Sequence, residues 1–167
     1  MTIIRTQRLI LRRATLDDVD AFHAVMSDPR AMRYWSTPPH ETLDETRAWV
    51  TSMVERSAEA CNDFAVELDG SLIGKAGCYK LPEIGYILHP DHWGKGYARE
   101  ALAAVIAHVF ATCDVERLIA DVDPRNSGSI ALLERLGFTE THRASGTWEV
   151  GGEVCDSIYF ALPREHG

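Results

Sequence analysis

The stretch His89-Pro90-Asp91-His92-Trp93-Gly94-Lys95-Gly96-Tyr97-Ala98 carries the residue types and spacing that can do chemistry. Gly94 and Gly96, one residue apart, let the backbone turn several N–H groups toward one point. A helix starting directly afterwards adds unpaired amides and the positive end of its dipole. Together these features predict anion binding, and a phosphate fits best. A plain tight strand-to-helix connection has the same pattern, so the glycine spacing alone does not separate the two. Gly94-Lys95-Gly96-Tyr97 has neither a Walker Gly-Lys-Ser/Thr nor a Gly-x-Gly-x-x-Gly pattern, which weighs against nucleotide-phosphate binding.

The elements around the loop must position it. Glu83 to Leu88 reads as a strand, with Gly85 marking a bulge or a close backbone approach. From Ala98 to Cys113, Ala101, Leu102, Val105, Ile106, Val109 and Phe110 form a wide apolar helical face that should pack on a sheet. Arg117 to Val122 then reads as a buried strand. Strand–helix–strand implies a right-handed crossover and a parallel pair, which aims the helix start at the carboxyl ends of the strands, where ligands bind. Upstream, Arg8 to Arg13 is a strand and Thr15 to Ser27 a helix that stops before Asp28-Pro29. The loop Tyr34 to His40 feeds a second helix over Glu41 to Ala60, and its aromatics either line a pocket or pack between the two helices. Asp69-Gly70 turns a hairpin between Asp63–Leu68 and Ser71–Tyr79. Downstream, Asn126 opens a short helix ending at Gly137, and Phe138 to Leu162 forms a long hairpin about Gly151-Gly152.

Composition bounds the answer. A chain of 167 residues with 46% hydrophobic content reads as one domain, able to bury roughly 70% of its unfolded surface. No apolar run approaches the ~20 residues of a membrane span, and the N-terminus lacks a secretory pattern, so a cytoplasmic protein is expected. Cys61, Cys78, Cys113 and Cys155 have no paired spacing, which predicts neither a metal site nor disulfides. The net charge of −8 disfavours nucleic acid and suits a cationic partner, with the chain a monomer or homodimer.

The order of elements, with Trp93-Gly94-Lys95-Gly96-Tyr97-Ala98 after a strand and Asn126-x-x-Ser129 before Leu133-Glu134-Arg135-Leu136-Gly137-Phe138, resembles the GNAT superfamily of N-acetyltransferases. The Arg8-Leu9-x-Leu11-Arg12 strand and the Asp17-Asp18 helix start resemble its RimJ/RimL-like branch, so the likeness spans nearly the whole chain. The resemblance implies an α/β (mixed α+β) fold with a central, mostly antiparallel, splayed sheet flanked by helices. It also implies acetyl-CoA as cosubstrate, with no metal, lodged between the fourth and fifth strands, here Glu83 to His89 and Arg117 to Val122. In the superfamily pattern Gln/Arg-x-x-Gly-x-Gly/Ala, Gly96 and Ala98 fill the last positions and Trp93 departs from the first. The amides of Gly94, Lys95, Gly96, Tyr97, Ala98 and Arg99 would then hold the pyrophosphate, and Asn126 and Ser129 would lie along the pantetheine arm. Locally, Asn126 reads as a helix cap and Ser129 as bonded to a carbonyl one turn back.

Acetyl transfer from a thioester needs a neutral amine, stabilisation of the oxyanion and a proton for the departing thiolate. A backbone N–H at Ile87 or Leu88, released near a bulge, is the expected oxyanion donor. By resemblance Ser129 protonates the sulfur, with Tyr159 second. Glu83 is the expected base, directly or through water, with His89 and His92 as alternatives, and water alone suffices for an amine of modest pKa. The acceptor would be a protein N-terminal α-amine or a small-molecule amine, its site shaped by Tyr34 to His40 and Thr147 to Glu153. The competing reading is a non-catalytic acyl-CoA-binding module.

Overall fold

Local sequence signals set the helix limits. Thr15 N–H bonds to the Asp18 carboxylate, turning Leu16–Asp18 into a 3-10 entry before helix α1 (Val19–Met26). Helix α1 ends ahead of Asp28, as the proline requires. Pro29 then starts a further turn, α2 (Pro29–Met32), because its missing N–H is no loss at that position and Asp28 accepts from Arg30 N–H. Thr42 caps α3 (Leu43–Glu55) by accepting from Glu45 N–H. The computed structural model describes residues 2–56 and 62–165, so the expected end of the second helix, Cys61 and the last two residues fall outside it.

The strands are β1 (Ile4–Arg5), β2 (Leu9–Arg12), β3 (Asn62–Leu68), β4 (Ser71–Lys80), β5 (Glu83–Leu88), β6 (Arg117–Val122), β7 (Thr139–Val150) and β8 (Glu153–Pro163). They form one eight-stranded sheet in the order β1-β2-β3-β4-β5-β6-β8-β7. Every neighbouring pair is antiparallel except β5 and β6, which are parallel. This is the mixed, mostly antiparallel sheet expected. The two strands expected as fourth and fifth are fifth and sixth, because the two-residue β1 pairs with β2 ahead of them.

Helix α4 (Tyr97–Thr112) crosses from β5 to β6 and buries Leu102, Val105 and Val109 against Phe64, Val66, Leu118 and Phe160. Helices α1 and α3 cover the opposite face through Phe22, Val50 and Met53, which pack with Ala65. Phe64 and Val66 on one face with Ala65 on the other shows the two-residue period of β3 directly. In β5, Leu88 faces α4, and Tyr86 packs on the same cluster, while Ile87 faces α1 and α2.

Candidate functional site

Strands β5 and β6 touch at one end only. Glu83 is registered opposite Ile119, Ile119 N–H bonds to Pro82 C=O at 3.0 Å, and beyond that point the two strands part. The parting opens a cleft of about 830 Å³ between Tyr86, Ile87 and Leu88 on one side and Ala120, Val122 and the start of α5 (Ser127–Arg135) on the other.

The gap leaves particular backbone groups without a ladder partner. His89 N–H bonds to Ile73 C=O at 2.8 Å, and Leu88 is registered opposite Gly74. Antiparallel partners alternate between bonded and non-bonded pairs, so Leu88 and Gly74 are a non-bonded pair and Leu88 turns its N–H and C=O away from β4. The C=O accepts from the Trp93 indole N–H at 3.0 Å. The N–H faces the gap. By the same alternation the Ile87 N–H faces β4, so Leu88 is the one of the two expected donors whose amide looks into the cleft. The bulge expected near Gly85 lies on the partner strand, between Gly77 and Lys80, and Gly85 pairs regularly with Gly77. Splay, not a bulge in β5, frees the amide.

The glycine loop closes the wide end of this cleft. Gly94 (φ 72°) and Gly96 (φ 83°) are both left-handed, a conformation that costs a residue with a Cβ about 1–2 kcal/mol. Gly96 is the N-cap of α4, and its left-handed turn aims the first amides of that helix at the cleft. Trp93, Gly94, Gly96, Tyr97, Ala98 and Arg99 all line it, as do Asn126 and Ser129. Lys95 does not. Its ammonium folds back onto the Asp91 carbonyl at 3.2 Å, so its expected contact is confined to the backbone. Among the described residues Arg30, Arg33, Arg99 and Arg135 line the cleft against Asp121 and Asp123, with Arg30 paired to Asp28 at 2.8 Å, giving a basic interior in a chain of charge −8. These features fit an elongated anionic ligand.

At the first turn of α5, Asn126 Oδ1 accepts from Ser129 N–H at 3.2 Å, the capping role expected of it. The Ser129 hydroxyl is not spent on a carbonyl one turn back. It bonds to the Tyr86 hydroxyl at 2.6 Å. Burial pushes the Tyr86 phenol above its ordinary value, and the Ser129 bond offsets this only in part. Sequence reading missed Tyr86 because its partner is 43 positions away; its only sequence signal was a phenol on an otherwise apolar buried strand. Tyr159 lies elsewhere. It stands on β8 opposite Asp121 and His142, stacks on the His142 ring at 4.3 Å between centroids, and is absent from the cleft lining.

A second cavity of about 560 Å³ opens at Glu83, where β5 and β6 still touch, and shares Arg33, Tyr34, Trp35, Ile84, Gly85, Asp121 and Asp123 with the first. Among the described residues its walls carry Asp63, Glu83, Asp121, Asp123, Glu153 and Asp156 against Arg33, Lys75 and Lys80. Two of these acids are tied to Arg125, at 2.7 Å for Asp123 and 2.5 Å for Glu153, and Lys75 is paired with Asp63 at 2.5 Å. Trp148 donates its indole N–H to Asp121 at 2.9 Å, anchoring the last hairpin to β6. Tyr34, Trp35, Trp148 and Glu153 line this cavity, so the aromatic loop and the final hairpin both shape it. Trp35 also packs against Met26 and Met32, so the two readings of that loop hold together. Burial, and then the neighbouring Asp121, raises the pKa of Glu83, with Lys80 opposing. The alternative bases sit apart from this cavity. His92 lines the loop end of the cleft, and His89 Nδ1 accepts from Asp91 N–H at 3.2 Å.

Residues 8–139 match the family described as "Acetyltransferase (GNAT) domain". The chain is 31% identical to the uncharacterized N-acetyltransferase p20 of Bacillus licheniformis, over 97% of this chain and 96% of that protein. It is 26% identical to spermidine N(1)-acetyltransferase of Escherichia coli K12, over 91% of this chain and 84% of that one. The fold matches RimL, a ribosomal L7/L12 alpha-N-protein acetyltransferase solved in complex with coenzyme A, with a TM-score of 0.85 and 22% identity over 97% of this chain and 98% of that one. No helix among the described residues is long and apolar enough to cross a membrane. The parted parallel strands, the glycine loop on α4 and the match over most of the chain together place this protein in the GNAT acetyltransferase family.

Proposed function

We propose that this chain transfers the acetyl group of acetyl-CoA to a primary amine, by direct attack within one ternary complex. One observation carries the reading: where β5 and β6 part, an arginine-rich cleft meets a cavity with an excess of carboxylates, Arg33, Asp121 and Asp123 lying on both walls. The arginine-lined cleft suits the anionic thioester donor, and the carboxylate-lined cavity suits an ammonium acceptor. The coenzyme A in the RimL complex supports the donor assignment.

When bound, acetyl-CoA supplies the activated acetyl carbon. The chain's own groups do the rest. The Gly94 to Arg99 amides at the α4 N-terminus bind the pyrophosphate, with no help from a polar side chain at Trp93. The Leu88 N–H stabilises negative charge developing on the carbonyl oxygen. Glu83 draws the acceptor in as an ammonium and takes its proton, directly or through water, leaving the neutral nucleophile. On the far side Ser129 donates a proton to the departing sulfur and recovers one from Tyr86 across the 2.6 Å contact, while the acylated nitrogen sheds its second proton to water and the Tyr86 phenolate regains a proton from solvent through the cleft. The acceptor is a small-molecule amine or a protein N-terminal α-amine.

A screen of small amines and N-terminal peptides, with released CoA as readout, tests the function. Turnover with at least one amine is expected. Tight CoA binding with no thiol release across the panel would instead make the chain an acyl-CoA-binding module, and tighter binding of ATP than of CoA would remove the donor assignment.

The raised pKa of Glu83 gives this proposal a pH signature. The carboxylate must be ionised to accept a proton, so kcat/KM rises with pH as Glu83 ionises, at a value above its ordinary 4.5. Glu83→Gln is expected to remove that limb and lower turnover by about 100-fold, the lower range for a general base. An unchanged profile and rate in the variant would assign the proton to water.

A further inference from the structure

We infer that Arg8, on the turn between β1 and β2, is a positioning residue for the phosphate loop, an inference that rests on the donor assignment above. Its side chain is held from several directions. Arg8 Nη1 donates to the Lys95 carbonyl at 2.9 Å and Nε to Glu100 Oε1 at 2.8 Å, while Arg8 N–H donates to Glu100 Oε2 at 2.9 Å. The guanidinium carbon lies 4.4 Å from the centre of the Tyr97 ring. Thr6 Oγ1 donates to the same Glu100 oxygen at 2.6 Å and accepts from Leu9 N–H at 3.0 Å, fixing the turn itself.

The bond to Lys95 decides which way the loop's working amide points. In a planar trans peptide the C=O and the next N–H face opposite ways. With the Lys95 C=O held by Arg8, the Gly96 N–H is turned away from Arg8. Gly96 lines the cleft and Arg8 does not, so the amide is turned toward the ligand side. A side chain at position 96 would press on this brace, since a Cβ there would stand 3.3 Å from Arg8 Nη2.

Arg8 also answers an electrostatic problem. Glu100 sits in the first turn of α4, where its negative charge would compete with a phosphate for the same amides and dipole. Arg8 and Thr6 occupy both of its oxygens. Burial pushes the Glu100 carboxyl up, but these hydrogen bonds outweigh it and hold the group below its ordinary value, so it stays ionised and paired. The loop's own cation cannot take this role, because the Lys95 ammonium is turned onto Asp91.

The test compares a donor with phosphates and one without, in the full chain. Arg8→Met keeps the apolar stem. It is expected to raise both the calorimetric Kd for CoA and the KM for acetyl-CoA by about tenfold, the worth of roughly one charge-assisted hydrogen bond. Saturating kcat, and kcat/KM with S-acetylpantetheine, should stay within about twofold on the same scale. Arg8→Lys should recover part of the loss, since an ammonium keeps the charge but not the fork, and it stands in if Arg8→Met folds poorly. Equal losses with both donors, or no loss with CoA, would overturn the assignment of Arg8. A wild-type chain that binds CoA no more tightly than pantetheine would remove the phosphate cradle itself, a different result from either.

Discussion

Gly96→Val is expected to weaken CoA binding by about 100-fold while costing the fold only about 1–2 kcal/mol. The stability cost follows from a β-branched residue at φ 83°, a conformation that glycine alone adopts freely. The binding cost is larger because two things fail together. A Cβ would stand 3.3 Å from Arg8 Nη2, with two further methyl carbons beyond it, so the guanidinium is pressed off its place and its hold on the Lys95 carbonyl loosens. The loosened loop turns the Gly96 amide and its neighbour out of line with the ligand. Losing two hydrogen bonds to a charged group, each worth about 1.5 kcal/mol at the low end, accounts for the factor of 100. Calorimetric titration with CoA beside a denaturant melt separates the two costs. Unchanged affinity in a folded variant would remove the loop from the binding site.

Ser129→Ala is expected to lower kcat by about 100-fold with the Kd for CoA unchanged within about twofold. The hydroxyl is bonded to Tyr86 in the resting protein, so its effect falls on the departing sulfur and not on ligand affinity. Tyr86→Phe leaves Ser129 in place without its proton source and should cost about tenfold in kcat on the same footing. Because burial raises the Tyr86 pKa above 10.0, the phenol stays protonated through neutral pH, and the relay fails only as pH climbs past that raised value. Stopped-time release of thiol across pH reads both effects. Full turnover in both variants would give the proton to water, since Tyr159 is stacked on His142 outside the cleft.

What the sequence disclosed was local. The β6 limits, the cap at Asn126, the helix stop ahead of Asp28-Pro29, the Asp69-Gly70 turn and the turn freedom of Gly94 and Gly96 are decided within a few residues by propensity and backbone sterics. The strand–loop–helix–strand order then fixed one parallel pair and the position of the loop beside it. What stayed hidden was set by distant partners. The Tyr86–Ser129 contact joins a strand to a helix across the cleft, and the Arg8 contacts reach Lys95 and Glu100 across 87 and 92 positions. The direction of the Lys95 ammonium depends on a nearby carbonyl that no spacing rule reveals. Gly85 drew attention as a bulge, whereas the irregularity fell on β4 opposite, because a glycine shows where a distortion is tolerated but not which strand takes it. The contrast in charge between the two cavities was equally invisible, since their walls gather residues from both halves of the chain.

Amide hydrogen exchange of the full chain with and without acetyl-CoA tests the central claim most directly. The donor should slow exchange at Leu88, whose N–H faces the gap, and at Gly94 to Arg99, and leave Ile87, already bonded toward β4, unchanged. Binding of acetyl-CoA without slowing at Leu88 and the loop, or with slowing confined to the cavity around Glu83 and Trp148, would contradict it.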